Sequence, residues 1–284
     1  MENAVRTKTN RAYKTILLFF CVLTMLLSGC DTGRNSRASR ECGREIMAGS
    51  KLLAKGEKKS ALRAFDRALA VAQGDLEIHM MVISLLMKKE MYEESIPYIQ
   101  HAINLPPEGK TDADLMMDKL WDSELHTALG DAYSHLKRVA EAEGSYQEAI
   151  LLNKDNAAAY NNWGYMYADQ GVRLDEAVRL AKRAVDLKPN NGYFVDSVGW
   201  AYLRKGEARK AMGLLRRAAE LCSSDAEIRY HLGRAYEAIG DGQAALVEYR
   251  KVLRLSPSHE STLKRIDALR ARRHSKCRPF CYNS

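Results

Sequence analysis

The sequence predicts an all-α chain built as a solenoid of helical hairpins and closed by a C-terminal capping helix. Three observations carry that prediction. Gly130, Gly164, Gly199 and Gly233 stand 34, 35 and 34 residues apart, and each is followed three residues later by a tyrosine: Tyr133, Tyr167, Tyr202 and Tyr236. An alanine recurs 12 or 13 residues after each glycine, at Ala142, Ala177, Ala211 and Ala245. Pro189 and Pro257 then fall where helices must stop, because proline lacks the amide hydrogen that a helix interior needs. A period near 34 with such internal grammar marks a helical repeat array, an architecture that binds other molecules far more often than it transforms them.

Each unit reads as two helices. The glycine lies on the first, where the missing side chain lets the second helix approach, and the tyrosine one turn later fills the space beside it. On the second helix Ala142 and Ala149 flank Tyr146, Ala177 and Ala184 flank Ala181, Ala211 and Ala218 flank Leu215, and Ala245 and Val252 flank Tyr249, a spacing suited to ridge-into-groove packing. Two further copies lie upstream, one at Gly49, Leu52, Ala61, Phe65 and Ala68, the other at Ile83, Leu86, Ser95, Ile99, Ala102 and Pro107. Gly49 to Ile83 is again 34 residues, whereas Ile83 to Gly130 is 47, one period with a 13-residue insertion. The segment that accommodates it, 108–122, holds Leu115, Met116, Met117, Leu120 and Trp121, and Thr111 or Asp112 is placed to cap a helix running into the next hairpin. Its apolar face serves either as a cover for the solenoid or as a second docking ridge.

The clearest copy reads Tyr160, Trp163, Gly164, Tyr167, Ala177, Ala184, Pro189. This pattern resembles the tetratricopeptide repeat (TPR) family. The resemblance implies a right-handed superhelix, with repeats 1–2 over residues 42–107, repeats 3–6 over 123–258, and a basic capping helix with a cysteine-containing tail over 259–284. In that family the concave groove is lined by fixed positions on the first helices. Carried over, these are Asn161, Tyr165 and Asp169 from the fourth repeat, Tyr193, Asp196, Trp200 and Arg204 from the fifth, and Tyr230, Arg234 and Glu237 from the sixth. Asn162 resembles a groove asparagine that contacts peptide backbone, while the family's basic clamp for carboxylate tails is incomplete. The aromatic members are expected to face the groove and to offer hot-spot area to an extended peptide or helix. Trp163 belongs to the repeat core. In the first half the equivalent positions are Ile46, Ser50, Leu53, Met80, Ser84 and Met87, an apolar wall suited to an apolar helix, the chain's own tail or a second copy of the chain.

Residues 1–14 carry Arg6, Lys8, Arg11 and Lys14 against Glu2, and the apolar run Ile16–Leu27 is too short to span a bilayer comfortably. The run ends in Leu27-Ser28-Gly29-Cys30, which resembles the bacterial lipobox. The resemblance implies removal of residues 1–29, lipidation of Cys30 with palmitate-type acyl chains, and a protein anchored in the cell envelope and facing the periplasm. Several chains bind additively at roughly 0.8 kcal/mol per buried methylene, so such an anchor holds. Asp31 resembles an inner-membrane retention signal, with the outer membrane as the alternative. Residues 30–41 are polar, without apolar period, and are expected to form a flexible tether.

Loss of residues 1–29 removes four basic residues and one acid, taking the formal charge from +8 to +5. That excess suits a surface near anionic headgroups and requires no nucleic acid. Cys277 and Cys281 lie close together in the tail, where an oxidising compartment permits a small disulfide loop. Free thiols are the competing reading, and a metal or redox site with His274 is the weakest. Cys222 is expected to be a small buried side chain. No phosphate loop, nucleophile elbow, zinc-binding His-Glu-x-x-His or dinucleotide fingerprint occurs, and the seven histidines have no ligand spacing. Neither catalytic residues, a metal nor a cofactor is therefore expected. The sequence is read as a membrane-anchored adaptor for proteins or peptides of a cell-envelope complex, of the kind that serves pilus-secretin assembly or peptidoglycan hydrolases. The alternative is a polysaccharide-export or secretion accessory whose aromatic groove contacts glycan.

Overall fold

The computed structural model describes residues 37–106 and 112–277, and side chains within 38–106 and 116–271. Among the described residues there are thirteen helices and no strand. They fall into two compact units that divide between Lys154 and Asp155. No described helix is long and apolar enough to cross a membrane.

The first unit holds three hairpins: α1 (Arg37–Ala54) with α2 (Lys58–Ala72), α3 (Leu76–Lys88) with α4 (Tyr92–Ile103), and α5 (Asp112–His135) with α6 (Val139–Leu152). The second holds α7 (Ala157–Gln170) with α8 (Leu174–Leu187), α9 (Gly192–Arg204) with α10 (Ala208–Leu221), and α11 (Ala226–Ala238) with α12 (Gly242–Leu255), followed by α13 (Glu260–Cys277). α8 and α12 stop two residues before Pro189 and Pro257. The acid pairs Glu93-Glu94 and Asp175-Glu176 sit in the first turns of α4 and α8, where carboxylates favour the positive end of the helix.

The small residues do what their spacing implies. Ala142, Ala149, Ala177, Ala181, Ala184, Ala211, Ala218 and Ala245 are buried to within 1% of their surface. Two kinds of close approach follow. A Cβ added at Gly130 or Gly233 would stand 2.6 or 2.5 Å from the ring of Tyr146 or Tyr249, whereas at Gly164 it would stand 2.9 Å from the Ala177 carbonyl oxygen and 3.0 Å from the Ala181 amide nitrogen. Where the second helix offers Ala181 instead of an aromatic ring, its backbone itself comes up against the first helix.

Seven residues beyond each repeat glycine, or its Ile83 equivalent, the chain turns with positive φ. Gly56, Gly171, Gly206 and Gly240 take φ of 75 to 88°, but Glu90 and Lys137 occupy the same place at 60 and 63°. The left-handed turn is part of the repeat, and two repeats make it without glycine. The glycine period alone would have located it.

Three expectations need correcting or completing. Residues 37–41, assigned to the flexible tether, form the first turn and more of α1, because Cys42 packs at 3% exposure and its Sγ reaches the Ala68 carbonyl at 3.4 Å, so the helix continues back from a buried anchor. The apolar first-half wall is consumed inside the first unit: Leu53, Met80 and Met87 are 9, 5 and 6% exposed. Cys222 is only half-buried, its Sγ lying where a side chain on Gly192 would have to go. Cys30, Asp31, Thr111 and Cys281 lie outside the described residues, as does the side chain of Cys277.

Candidate functional site in the second unit

The groove residues assigned to the fourth, fifth and sixth repeats lie on α7, α9 and α11, the first helices of the second unit. Their register is set by side-chain caps. Asn156 accepts from the Ala159 amide, Asn191 from those of Tyr193 and Phe194, and Asp225 from those of Glu227 and Ile228. α9 packs against both α7 and α11, so the three helices bring one periodic set of side chains together.

That set divides into a buried foundation and a half-exposed surface. Asp196, Trp200, Tyr230 and Asn161 are 0, 5, 7 and 8% exposed. The expected exposure of Trp200 and Tyr230 is therefore corrected: their rings are filled in by the neighbouring helix. The Trp200 indole stacks on the His231 ring at 4.0 Å and 14°, and Tyr230 lies against His259 at 5.1 Å and Tyr249 at 5.9 Å. Glu237 is drawn away from the surface set, accepting from the Tyr249 hydroxyl at 2.9 Å and from Arg265 at 3.3 Å. Asn162, Tyr165, Asp169, Tyr193, Arg204 and Arg234 are half-buried and form the accessible layer.

Two histidine–carboxylate pairs tie α9 to α11 and α11 to the start of α13. His231 Nδ1 donates to Asp196 at 3.0 and 3.1 Å, and His259 Nε2 donates to Glu227 at 2.7 Å while its Nδ1 lies 2.8 Å from the Thr262 hydroxyl. Reading the histidines one by one missed these pairs. The available signal was the spacing: Asp196 and His231 are 35 residues apart, one period, and Glu227 and His259 are 32. A carboxylate–histidine pair is also the core of many hydrolytic sites. Here its members are 0 and 2% exposed, the imidazole face is covered by Trp200, and a substrate has no access. Among the described residues no cluster of three or more His, Cys, Asp or Glu has metal-holding geometry.

Tyr165 reaches across to the α11 side, its ring 6.5 Å from that of His231. Burial pushes its phenol well above the ordinary value. Asp169, Glu227 and Asp225 raise it further and Arg204 opposes them. The phenol is thus a neutral donor in an acidic neighbourhood. Arg204 donates to the Asp169 carbonyl at 2.6 Å, closing the C-terminal end of α7, and its guanidinium lies 5.4 Å from the Trp200 ring. Arg234 lies 6.0 Å from the same ring and donates to the Tyr230 hydroxyl at 3.3 Å.

Residues 126–192 and 199–260 match the tetratricopeptide repeat model, so the chain carries TPR units in both stretches, and its fold class is that of the TPR solenoids. A TPR repeat-containing protein of Pseudomonas aeruginosa is 29% identical over 184 residues, covering 64% of this chain and 29% of its own. Human protein O-mannosyl-transferase TMTC3 is 24% identical, covering 72% of this chain and 23% of its own. DnaJ homolog subfamily C member 3 of Rattus norvegicus is 22% identical, covering 90% and 50%. The chain thus spans from under a quarter to half of the length of these relatives. Among solved structures, a thermophilic TPR protein of Thermus thermophilus aligns with a TM-score of 0.51 at 19% identity, over 81% of this chain and 99% of that one. The Cut9–Hcn1 hetero-tetramer of the APC/C aligns with a TM-score of 0.62 at 13% identity, over 92% and 47%. TPR units serve in general as non-catalytic scaffolds for protein–protein interaction.

Proposed function

We propose that this chain is an adaptor that holds partner proteins on the α7, α9 and α11 surface while anchored to a bacterial cell-envelope membrane through lipidated Cys30. The observation that carries the binding half is the two-layer site. The accessible layer of Asn162, Tyr165, Asp169, Tyr193, Arg204 and Arg234 rests on a foundation locked by the Asp196–His231 pair and the Trp200 stack. A preorganised polar and aromatic surface loses little entropy on binding, which favours peptide recognition. The glycan alternative calls for open indole and phenol faces, and the burial of Trp200 and Tyr230 counts against it. The anchoring half rests on the Leu27-Ser28-Gly29-Cys30 run, and the envelope machine served stays within the pilus-secretin or peptidoglycan-hydrolase class.

The binding reading is tested by in-cell crosslinking and mass spectrometry of the full chain beside a Tyr165→Ala, Asn162→Asp variant. Partners lost in the variant support it; an identical set in both refutes it. The anchoring reading is tested by metabolic acyl labelling, which Cys30→Ser must abolish.

A further inference from the structure

Arg204 and Arg234 are half-buried, stand over the same indole, and have no carboxylate partner among the described residues. This sets them apart on the first helices of the second unit, where the other arginine, Arg229, pairs with Glu248 at 3.1 Å. Arg204 spends one N–H on the Asp169 carbonyl and Arg234 spends one on the Tyr230 hydroxyl. A guanidinium carries five, so both retain donors, and a guanidinium held against an aromatic ring is already oriented for a planar anion. The same Trp200 ring also buries an N–H that has no acceptor in the described structure.

We infer that Arg204 and Arg234 form a two-point site for an extended acidic segment of a partner protein, read through internal Asp or Glu side chains. This inference rests on the partner-binding reading above. Distances of 5.4 and 6.0 Å to one ring place the two guanidinium carbons no more than about 11 Å apart. Alternate side chains of an extended peptide repeat every ~7 Å, and carboxylates on flexible stems at i and i+2 span such a gap. Asp169, Asp225 and Glu227 lie close enough to raise the Tyr165 phenol, so the attraction for a carboxylate comes from the two guanidiniums and not from a broad basic surface.

The test uses fluorescein-labelled, C-terminally amidated dodecamers of alternating Asp and Ala, of alternating Asn and Ala, and of the Asp peptide with phosphoserine at two Asp positions. Fluorescence polarisation is read with the full chain, Arg204→Gln, Arg234→Gln and Arg234→Glu. The Asp peptide is expected to bind at least tenfold more tightly than the Asn peptide and to weaken with added salt. It should lose about fivefold or more in each Gln variant and more in Arg234→Glu, while binding of the Asn peptide does not change. Circular dichroism establishes that each variant is folded. Arg234→Gln leaves the Asp169 carbonyl contact untouched, so loss of binding there is not a failure of the α7 end. Equal binding of Asp and Asn peptides, or Asp binding unaffected in both Gln variants, overturns the acidic site. Binding of the phosphoserine peptide alone overturns the carboxylate assignment. Should the crosslinked partners persist while the Asp peptide fails, the acidic selectivity falls and the adaptor reading stands; the loss of both removes both.

Discussion

Gly164→Ala is the sharpest probe of how this chain packs. The added methyl would stand 2.9 Å from the Ala177 carbonyl oxygen, 3.0 Å from the Ala181 amide nitrogen and 3.2 Å from the Leu180 Cβ. No flexible side chain can move aside, so α8 must shift bodily. Overpacking of that kind costs ~3 kcal/mol, the upper part of its usual range, and the better helix propensity of alanine returns ~1 kcal/mol. The net expectation is a loss of about 2 kcal/mol. Leu180→Ala cannot relieve it, because the obstructing atom there is a Cβ that alanine keeps. Gly233→Ala is the control. Its obstacle is the Tyr249 ring, at 2.5 Å, and truncating the ring removes the clash. A double-mutant cycle of Gly233→Ala with Tyr249→Ala should therefore show coupling of about 2 kcal/mol, and the cycle of Gly164→Ala with Leu180→Ala close to none. Both are read by urea unfolding followed by circular dichroism and by tryptophan fluorescence, since repeat arrays need not unfold in one step. Wild-type stability of Gly164→Ala, or its rescue by Leu180→Ala, would refute the backbone-contact argument.

Burial, helped by Lys137, pushes His135 down to about 4 from 6.5, and burial also lowers His79 and His126. The folded first unit resists protons that its unfolded chain takes up near pH 6.5. Stability is therefore intact above that pH and falls as the pH drops through 6.5 towards 4. His135 alone contributes ~2–3 kcal/mol after allowance for its partial exposure. The urea midpoint measured from pH 7 to 4 should show this, and a His135→Gln variant with an undiminished slope would contradict it. Asp196→Ala strands the buried His231 and should cost ~3 kcal/mol or more in thermal unfolding, against less than ~0.5 kcal/mol for Glu260→Gln, whose partner Lys264 is 3.9 Å away at the surface. Lys137→Gly relieves a left-handed lysine and should raise the unfolding free energy by ~0.5–1 kcal/mol; a decrease would mean that the turn is held by something else.

Much of this architecture could be read from residue spacing. A glycine whose Cβ has no room and an alanine that is fully buried are each required by local helix-to-helix distance, and that distance recurs every repeat. Gly130, Gly164, Gly199, Gly233 and their alanine partners therefore advertise the hairpins directly. The same reading failed for Trp200 and Tyr230. Position within a repeat says which side of a helix a ring leaves from, but not whether the next first helix closes over it. His231 and His259 do close over these rings, and they look unremarkable until Asp196 and Glu227 are placed beside them.

By itself, then, the sequence determined the helical repeat, its register and the set of side chains sharing one side of α7, α9 and α11. These depend on contacts within a hairpin, which the period repeats. The tertiary structure alone decided which of those side chains are foundation and which are surface. It turned Asp196, Trp200 and Tyr230 inward, drew Glu237 toward Tyr249 and Arg265, and left Arg204 and Arg234 over one indole. The physical reason is that burial at these positions arises from packing between repeats. There each residue meets a different neighbour, and no period in the sequence records the pairing.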